Sequence, residues 1–278
     1  MRKTTRAILP LAAALSLGLA LAPGGGAVSG TRGELVEAEW AFVGGASGDA
    51  PLGVGRTLYD PAWTIELEEA RVVLGAAYVF PPPAVAARWG LPFVSTARAH
   101  AGDDNLFAVN ALAEHRDQVV VDALSPEPTV VGPVLAESGA ASIVTVWIDA
   151  PRGALAGADG PTHGHHGWVR GVARQGETEL RFEAGLRLED TPLSQRVDRI
   201  PLGEGAAVTR GSRVVVEALA SEWLQQIDFT SLLADGALEV DPDGVARPTS
   251  PHPFQQAWLI DFHDPGAFRA RIERGATE

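Results

Sequence analysis

The clearest structural signal in this chain is Glu179-Leu180-Arg181-Phe182-Glu183-Ala184-Gly185-Leu186-Arg187-Leu188-Glu189. Apolar residues occupy every second position, and most of the positions between them are charged. Because successive side chains of a strand point to opposite faces, this pattern predicts a strand with one face in a core and the other in water. The preceding residues 174–177, Arg-Gln-Gly-Glu, predict a turn that joins this strand to one starting near Trp168. A β-hairpin is therefore expected here.

Shorter segments with the strand pattern recur along the chain. They cover residues 36–42, 63–74, 118–124, 143–148, 214–218 and 268–272. In the second of these the apolar set changes phase after Leu67, which predicts a β-bulge at Glu68 and Glu69. Helical patterns are confined to short pieces at residues 104–113, 222–226 and 253–262. The sequence thus predicts an all-β fold, an antiparallel β-sandwich or a partly closed barrel with a few short helices.

The beginning of the chain has the pattern of an export signal. Arg2, Lys3 and Arg6 precede the apolar residues 7–22, and Gly25-Gly26-Ala27 offers small residues for cleavage. We therefore predict a signal peptide at residues 1–27, a single β-sandwich domain at residues 28–278, and a periplasmic or extracellular location. The apolar run is short for a membrane span, which needs about 20 residues. No membrane insertion is expected after cleavage.

Composition excludes several classes of function. The formal net charge of -13 argues against a nucleic-acid partner. There is no cysteine, and the single methionine is Met1, so the mature chain has no sulfur ligand or thiolate nucleophile. The sequence contains no Gly-x-Ser-x-Gly, His-Glu-x-x-His or phosphate-loop motif. We therefore do not predict an enzyme.

The candidate site is the loop Pro161-Thr-His163-Gly-His165-His166-Gly-Trp168, which holds three of the seven histidines. In an extended loop His163 and His165 project to the same side, while His166 points away unless the chain turns at Gly164. Imidazole clusters bind transition metals, so we predict that His163, His165 and His166 bind a copper or zinc ion.

His100 is a possible further ligand of this ion, at a predicted corner between a strand and a helix. The simpler alternative is a solvated loop in which the histidines occur by chance. An exposed loop contributes little to a core, so replacing its three histidines should leave the stability of the metal-free protein unchanged.

Two functions are favoured on the residues alone, and a hydrolase whose catalytic groups converge from distant positions is a third that stays open. The first is an exported metal-binding protein that buffers the ion or delivers it to an exported protein partner. The second is a structural or adhesive sandwich that binds a surface protein or a glycan.

Several segments carry a family resemblance. These are Trp63-Thr-Ile-Glu-Leu-Glu-Glu-Ala-Arg71, the corner His100-Ala-Gly102, the histidine loop and Glu222-Trp-Leu-Gln-Gln-Ile-Asp-Phe229. In this order they resemble secreted bacterial proteins related to the methanobactin-associated copper-binding family. The resemblance implies a periplasmic, β-rich protein that binds copper through histidine and a modified tryptophan.

Overall fold

Strands dominate the described part of the chain, as the alternating sequence predicts. The computed structural model describes residues 33–59, 62–82, 111–188, 195–249 and 251–274. The strands are β1 (Leu35–Gly44), β2 (Val54–Arg56), β3 (Thr64–Phe80), β4 (Ala113–His115), β5 (Val119–Asp122), β6 (Thr129–Glu137), β7 (Gly139–Ala140), β8 (Ile143–Ile148), β9 (Gly167–Gln175), β10 (Thr178–Leu186), β11 (Arg196–Pro201), β12 (Ala207–Val208), β13 (Ser212–Ala218), β14 (Val245–Ala246) and β15 (Phe268–Glu273). The α-helices are α1 (Phe229–Ala234) and α2 (Pro253–His263), and 3₁₀ turns lie at Gly153–Leu155, Ala220–Glu222 and Pro265–Ala267.

Two main sheets share one core. The larger has nine strands in the order β11-β8-β3-β9-β10-β14, with β2, β4 and β5 also paired to β3, and the smaller has the order β15-β13-β1-β6. Trp40 of β1 and Phe182 of β10 belong to the same buried cluster, so the sheets face one another. The predicted sandwich is confirmed, and neither sheet closes into a barrel. The pairing is mixed rather than purely antiparallel, because β1 pairs with β13 and β10 with β14 in parallel.

The predicted hairpin forms as expected. Strands β9 and β10 pair antiparallel, with Gln175 opposite Thr178 and Gly176 in the turn at a φ of 58°. On the inner face of β10 Phe182 is fully buried, and its ring lies 5.8 Å from the rings of both Phe229 and Phe254. This aromatic contact packs α1 and α2 against the hairpin.

The predicted bulge in β3 also forms. The register between β3 and β9 shifts between Leu67 and Glu69. Leu67 before the bulge and Ala70 after it are both buried, so the apolar face stays continuous across the change of phase. The shift places Glu69 and Arg71 on the outer face of the sheet, where they help to build the site described below.

Among the strands that the sequence did not predict, the two longest, β6 and β11, have an alternation that bulges interrupt. In β6 the register with β1 shifts where Gly132 and Pro133 lie opposite the single residue Glu39, and a proline is tolerated because β6 lies at a sheet edge. In β11 the register with β8 shifts between Val197 and Ile200, so its buried residues are three positions apart.

Some predictions fall outside the described residues. The signal peptide at residues 1–27 and His100 lie there, as does most of the helix predicted at residues 104–113. The described end of that segment differs from the prediction, because Ala113 begins strand β4. The described residues between 33 and 274 belong to one compact unit. In the described residues, no helix has both the length and the apolar character that a membrane span requires.

Candidate functional site

The site begins with a row of three residues on the outer face of the larger sheet. Arg71 of β3 lies opposite Trp168 of β9, and Trp168 lies opposite Gly185 of β10. The indole Nε1 of Trp168 donates to Oε2 of Glu69 at 3.4 Å, and Glu69 forms a 2.8 Å ion pair with Arg71. The bulge that turned Glu69 outward thus fixes the orientation of Trp168.

The histidine loop is attached to the sheet at several points. Arg71 donates to the carbonyl oxygen of Pro161 at 2.9 Å, at the start of the loop. The backbone N–H of His166 donates to the carbonyl of Leu186, and the carbonyl of His166 accepts from the N–H of Val73. Between these anchors the chain turns through positive φ at His163 (51°) and Gly164 (77°). The loop is therefore held against β3 and β10.

His163 and His165 both lie against Trp168. Their ring centroids are 4.4 Å and 5.7 Å from the indole, respectively. Nδ1 of His163 lies 2.9 Å from the carbonyl oxygen of Ala158, and Nδ1 of His165 lies 3.3 Å from that of Thr162. A carbonyl oxygen only accepts hydrogen bonds, so both Nδ1 atoms carry the proton in the neutral rings. Each ring then has its acceptor lone pair on Nε2.

His165 is half-buried, and its surroundings favour the neutral imidazole. Burial lowers its pKa from the ordinary value of 6.5, and the positive charge of Arg187 lowers it further. Hydrogen bonds to the backbone oppose this shift. The ring is thus neutral at pH 7, which is the form that binds metal ions.

The structure does not bring the three loop histidines together. His166 is 1% exposed and lies in the interior, whereas His163 is exposed on the outer face. Among the described residues, no three histidine, aspartate or glutamate side chains are arranged to hold one metal ion. His100 lies outside those residues. The geometry therefore favours a pair of imidazoles rather than the three-histidine cluster expected from the sequence.

No family model, curated protein or solved structure matches this chain. Its function is therefore inferred from the geometry of the site.

A pocket of about 480 Å³ opens beside His165. It is lined by His165, Trp168, Glu183, Gly185, Arg187, Arg247, Pro248, Thr249 and Gln255. This volume lies within the range of small-molecule sites, roughly 300–1,000 Å³.

Sequence reasoning missed the residues that position the imidazoles. Glu69 and Arg71 could have been found, because the predicted bulge turns both outward. The pairing of Trp168 with Gly185 follows from a hairpin with a two-residue turn at Gly176 and Glu177. Gln255 carried no such signal, because its position beside the hairpin depends on how α2 packs.

Proposed function

We propose that this protein binds one divalent transition-metal ion through Nε2 of His163 and Nε2 of His165. The supporting observation is that each Nδ1 lies against a backbone carbonyl, which leaves Nε2 as the acceptor nitrogen of each ring, and that both rings contact one indole. In an exported protein such a site would buffer or deliver the ion.

The hydrogen bonds at Nδ1 are of the kind that orient histidine ligands in metal sites. A metal-bound imidazole usually donates its other N–H to a carbonyl or carboxylate, which fixes the ring and raises its basicity. Trp168 restricts both rings from one side, and Glu69 and Arg71 hold Trp168. The ring positions are therefore set before the ion arrives, which lowers the entropy cost of binding.

Imidazole nitrogen suits Cu²⁺ and Zn²⁺, and Cu²⁺ normally forms the more stable complexes at such ligands. Two protein nitrogens leave coordination positions for water or another oxygen ligand, because Zn²⁺ sites usually have four ligands. His166 is not part of the proposed pair, and His100 stays a prediction as an additional ligand.

The test is a calorimetric titration of tag-free protein with Cu²⁺ and with Zn²⁺ at pH 7.5. We expect each chain to bind one ion, and to bind Cu²⁺ more tightly than Zn²⁺. His163→Ala and His165→Ala should each weaken it, and the double variant should abolish it.

A matched control is His263→Ala, because Nδ1 of His263 also lies 2.8 Å from a backbone carbonyl, that of Leu259. This variant should bind as tightly as the parent. A double variant at His163 and His165 that binds as tightly as the parent would refute the site. Failure of the parent to bind either ion would favour the structural or adhesive alternative.

A further inference from the structure

The pocket beside His165 exists because β14 is short. Strand β14 pairs with β10 only at Arg181 and Phe182, and the chain then leaves the sheet as residues 247–249. The far end of β10 is therefore not covered by a neighbouring strand on that side. Residues 247–249 line the pocket together with Trp168 and His165.

The two arginines of the pocket differ in their pairing. Arg247 contacts three carboxylates, those of Glu183 at 3.0 Å and of Asp241 and Asp243 at 2.8 Å each. Arg187 makes no ion pair or side-chain hydrogen bond within the described part of the chain, although most arginines there are paired. Among the described residues that line this pocket, it is therefore the arginine without a carboxylate partner, in a protein whose net charge is -13.

The base of the pocket is held by a buried amide. Gln255 is 4% exposed, and its Nε2 donates to the carbonyl oxygens of Gly185 at 3.0 Å and Pro248 at 3.2 Å. These bonds connect Gly185 of β10 to Pro248, and all three residues line the pocket. The side chain of Gln255 thus holds the pocket through two backbone carbonyls, and the pocket does not depend on a ligand to form it.

We infer that this pocket binds the carboxylate of a small organic acid through the guanidinium of Arg187. A guanidinium pairs with a planar carboxylate through two parallel hydrogen bonds. A second carboxylate of the same acid would be close to the two imidazoles, where it could supply oxygen to the ion. This last step rests on the proposed metal site, whereas binding of the acid at Arg187 does not.

The test uses succinate, a dicarboxylate with little affinity for metals in solution, and metal-free protein at pH 7.5. Calorimetry should show one succinate per chain. Arg187→Gln should weaken binding by about tenfold, the loss expected when one charged hydrogen-bonding partner is removed. Arg181→Gln is the matched control, because Arg181 lies on the same outer face of β10 and pairs with Glu179 outside the pocket. It should bind succinate as the parent does.

The inference would be overturned by a parent that does not bind succinate, or by equal binding in Arg187→Gln. Inorganic phosphate that competes as well as succinate would show a general anion site and would also reject carboxylate recognition. Adding Zn²⁺ should tighten succinate binding, and by linkage succinate should tighten Zn²⁺ binding equally. Because the first titrations contain no metal and the Cu²⁺ and Zn²⁺ titrations contain no acid, failure of one proposal is distinguishable from failure of the other.

Discussion

The imidazole of His165 occupies the space that a side chain at Gly185 would need. A Cβ atom on Gly185 would lie 2.2 Å from Cδ2 of His165 and 2.5 Å from its Nε2, far inside van der Waals contact. Gly185 lies directly opposite Trp168 across the hairpin, so the imidazole packs beside the indole above an empty strand position. The glycine in β10 is therefore the residue that admits His165 to the site.

Gly185→Ala should displace His165 while leaving the fold intact. The backbone at Gly185 is not in the left-handed region, so alanine fits the strand and only the imidazole has to move. We expect Cu²⁺ affinity to fall toward that of His165→Ala, as measured by calorimetry. Gly203→Ala is the control, because a Cβ there meets nothing within 4 Å. Unchanged Cu²⁺ affinity in Gly185→Ala would show that Nε2 of His165 is not a ligand.

His166→Ala should affect stability rather than metal binding. The side chain is 1% exposed, so its removal leaves a cavity, and we expect a loss of about 1–3 kcal/mol in the free energy of unfolding. The expectation that all three loop histidines can be replaced without cost assumed an exposed loop, and that assumption is wrong for His166, which is buried. Urea unfolding measures the loss, and His163→Ala, at an exposed position, serves as the comparison. A stable His166→Ala that fails to bind Cu²⁺ would restore the three-histidine site.

The hairpin and the bulge were predictable because the local periodicity of apolar residues indicates both. Leu67 and Ala70 fall on one face only if one residue is extra, and the alternation around Phe182 leaves no other register. No local sequence pattern indicates the parallel pairing of β1 with β13, because the two strands are far apart in sequence and pair through backbone atoms. Burial of His166 likewise depends on how the loop is anchored to Leu186 and Val73, which no spacing of histidines encodes.

Phe182→Ala should cost roughly 3–5 kcal/mol in the free energy of unfolding. The ring is fully buried and contacts Phe229 and Phe254, so the variant loses contacts with both helices as well as with the sheet. Chemical denaturation followed by tryptophan fluorescence measures the change. Arg181→Ala, at the exposed neighbouring position, should stay within about 0.5 kcal/mol of the parent. A cost below about 1 kcal/mol for Phe182→Ala would place that ring outside the core.

Metal binding should weaken as the pH falls from 7.5 to 5.5, because protons compete for imidazole near its ordinary pKa of about 6.5. Arg187 is one cause of the lowered pKa of His165, although burial is the larger one. Arg187→Gln should therefore raise that pKa in the metal-free protein. An NMR titration of the His165 ring in both metal-free proteins measures it. A pKa of His165 that falls or stays the same in Arg187→Gln would contradict the assigned electrostatics.

Asp261 should make the protein less stable as the pH rises toward 7. Burial raises its pKa from 3.8 to about 7, the hydrogen bond from the backbone N–H of Gln226 opposes this shift, and the negative charges of Asp264 and Glu222 add to it. Between these two values the folded protein keeps a proton that the unfolded chain has lost, so the free energy of unfolding falls with increasing pH and levels off above about 7. Asp261→Asn removes this titration but keeps an oxygen that can accept from Gln226. The variant should therefore gain stability relative to the parent between pH 4 and pH 7.

Buried His115 and half-buried His165 have lowered pKa values, so their titration changes stability in the opposite direction, but it does so equally in the parent and in Asp261→Asn. Urea unfolding of both at pH 5 and pH 8 gives the difference, with Asp159→Asn as an exposed control. A difference in stability that is the same at both pH values would show that Asp261 is ionised in the folded protein at pH 5.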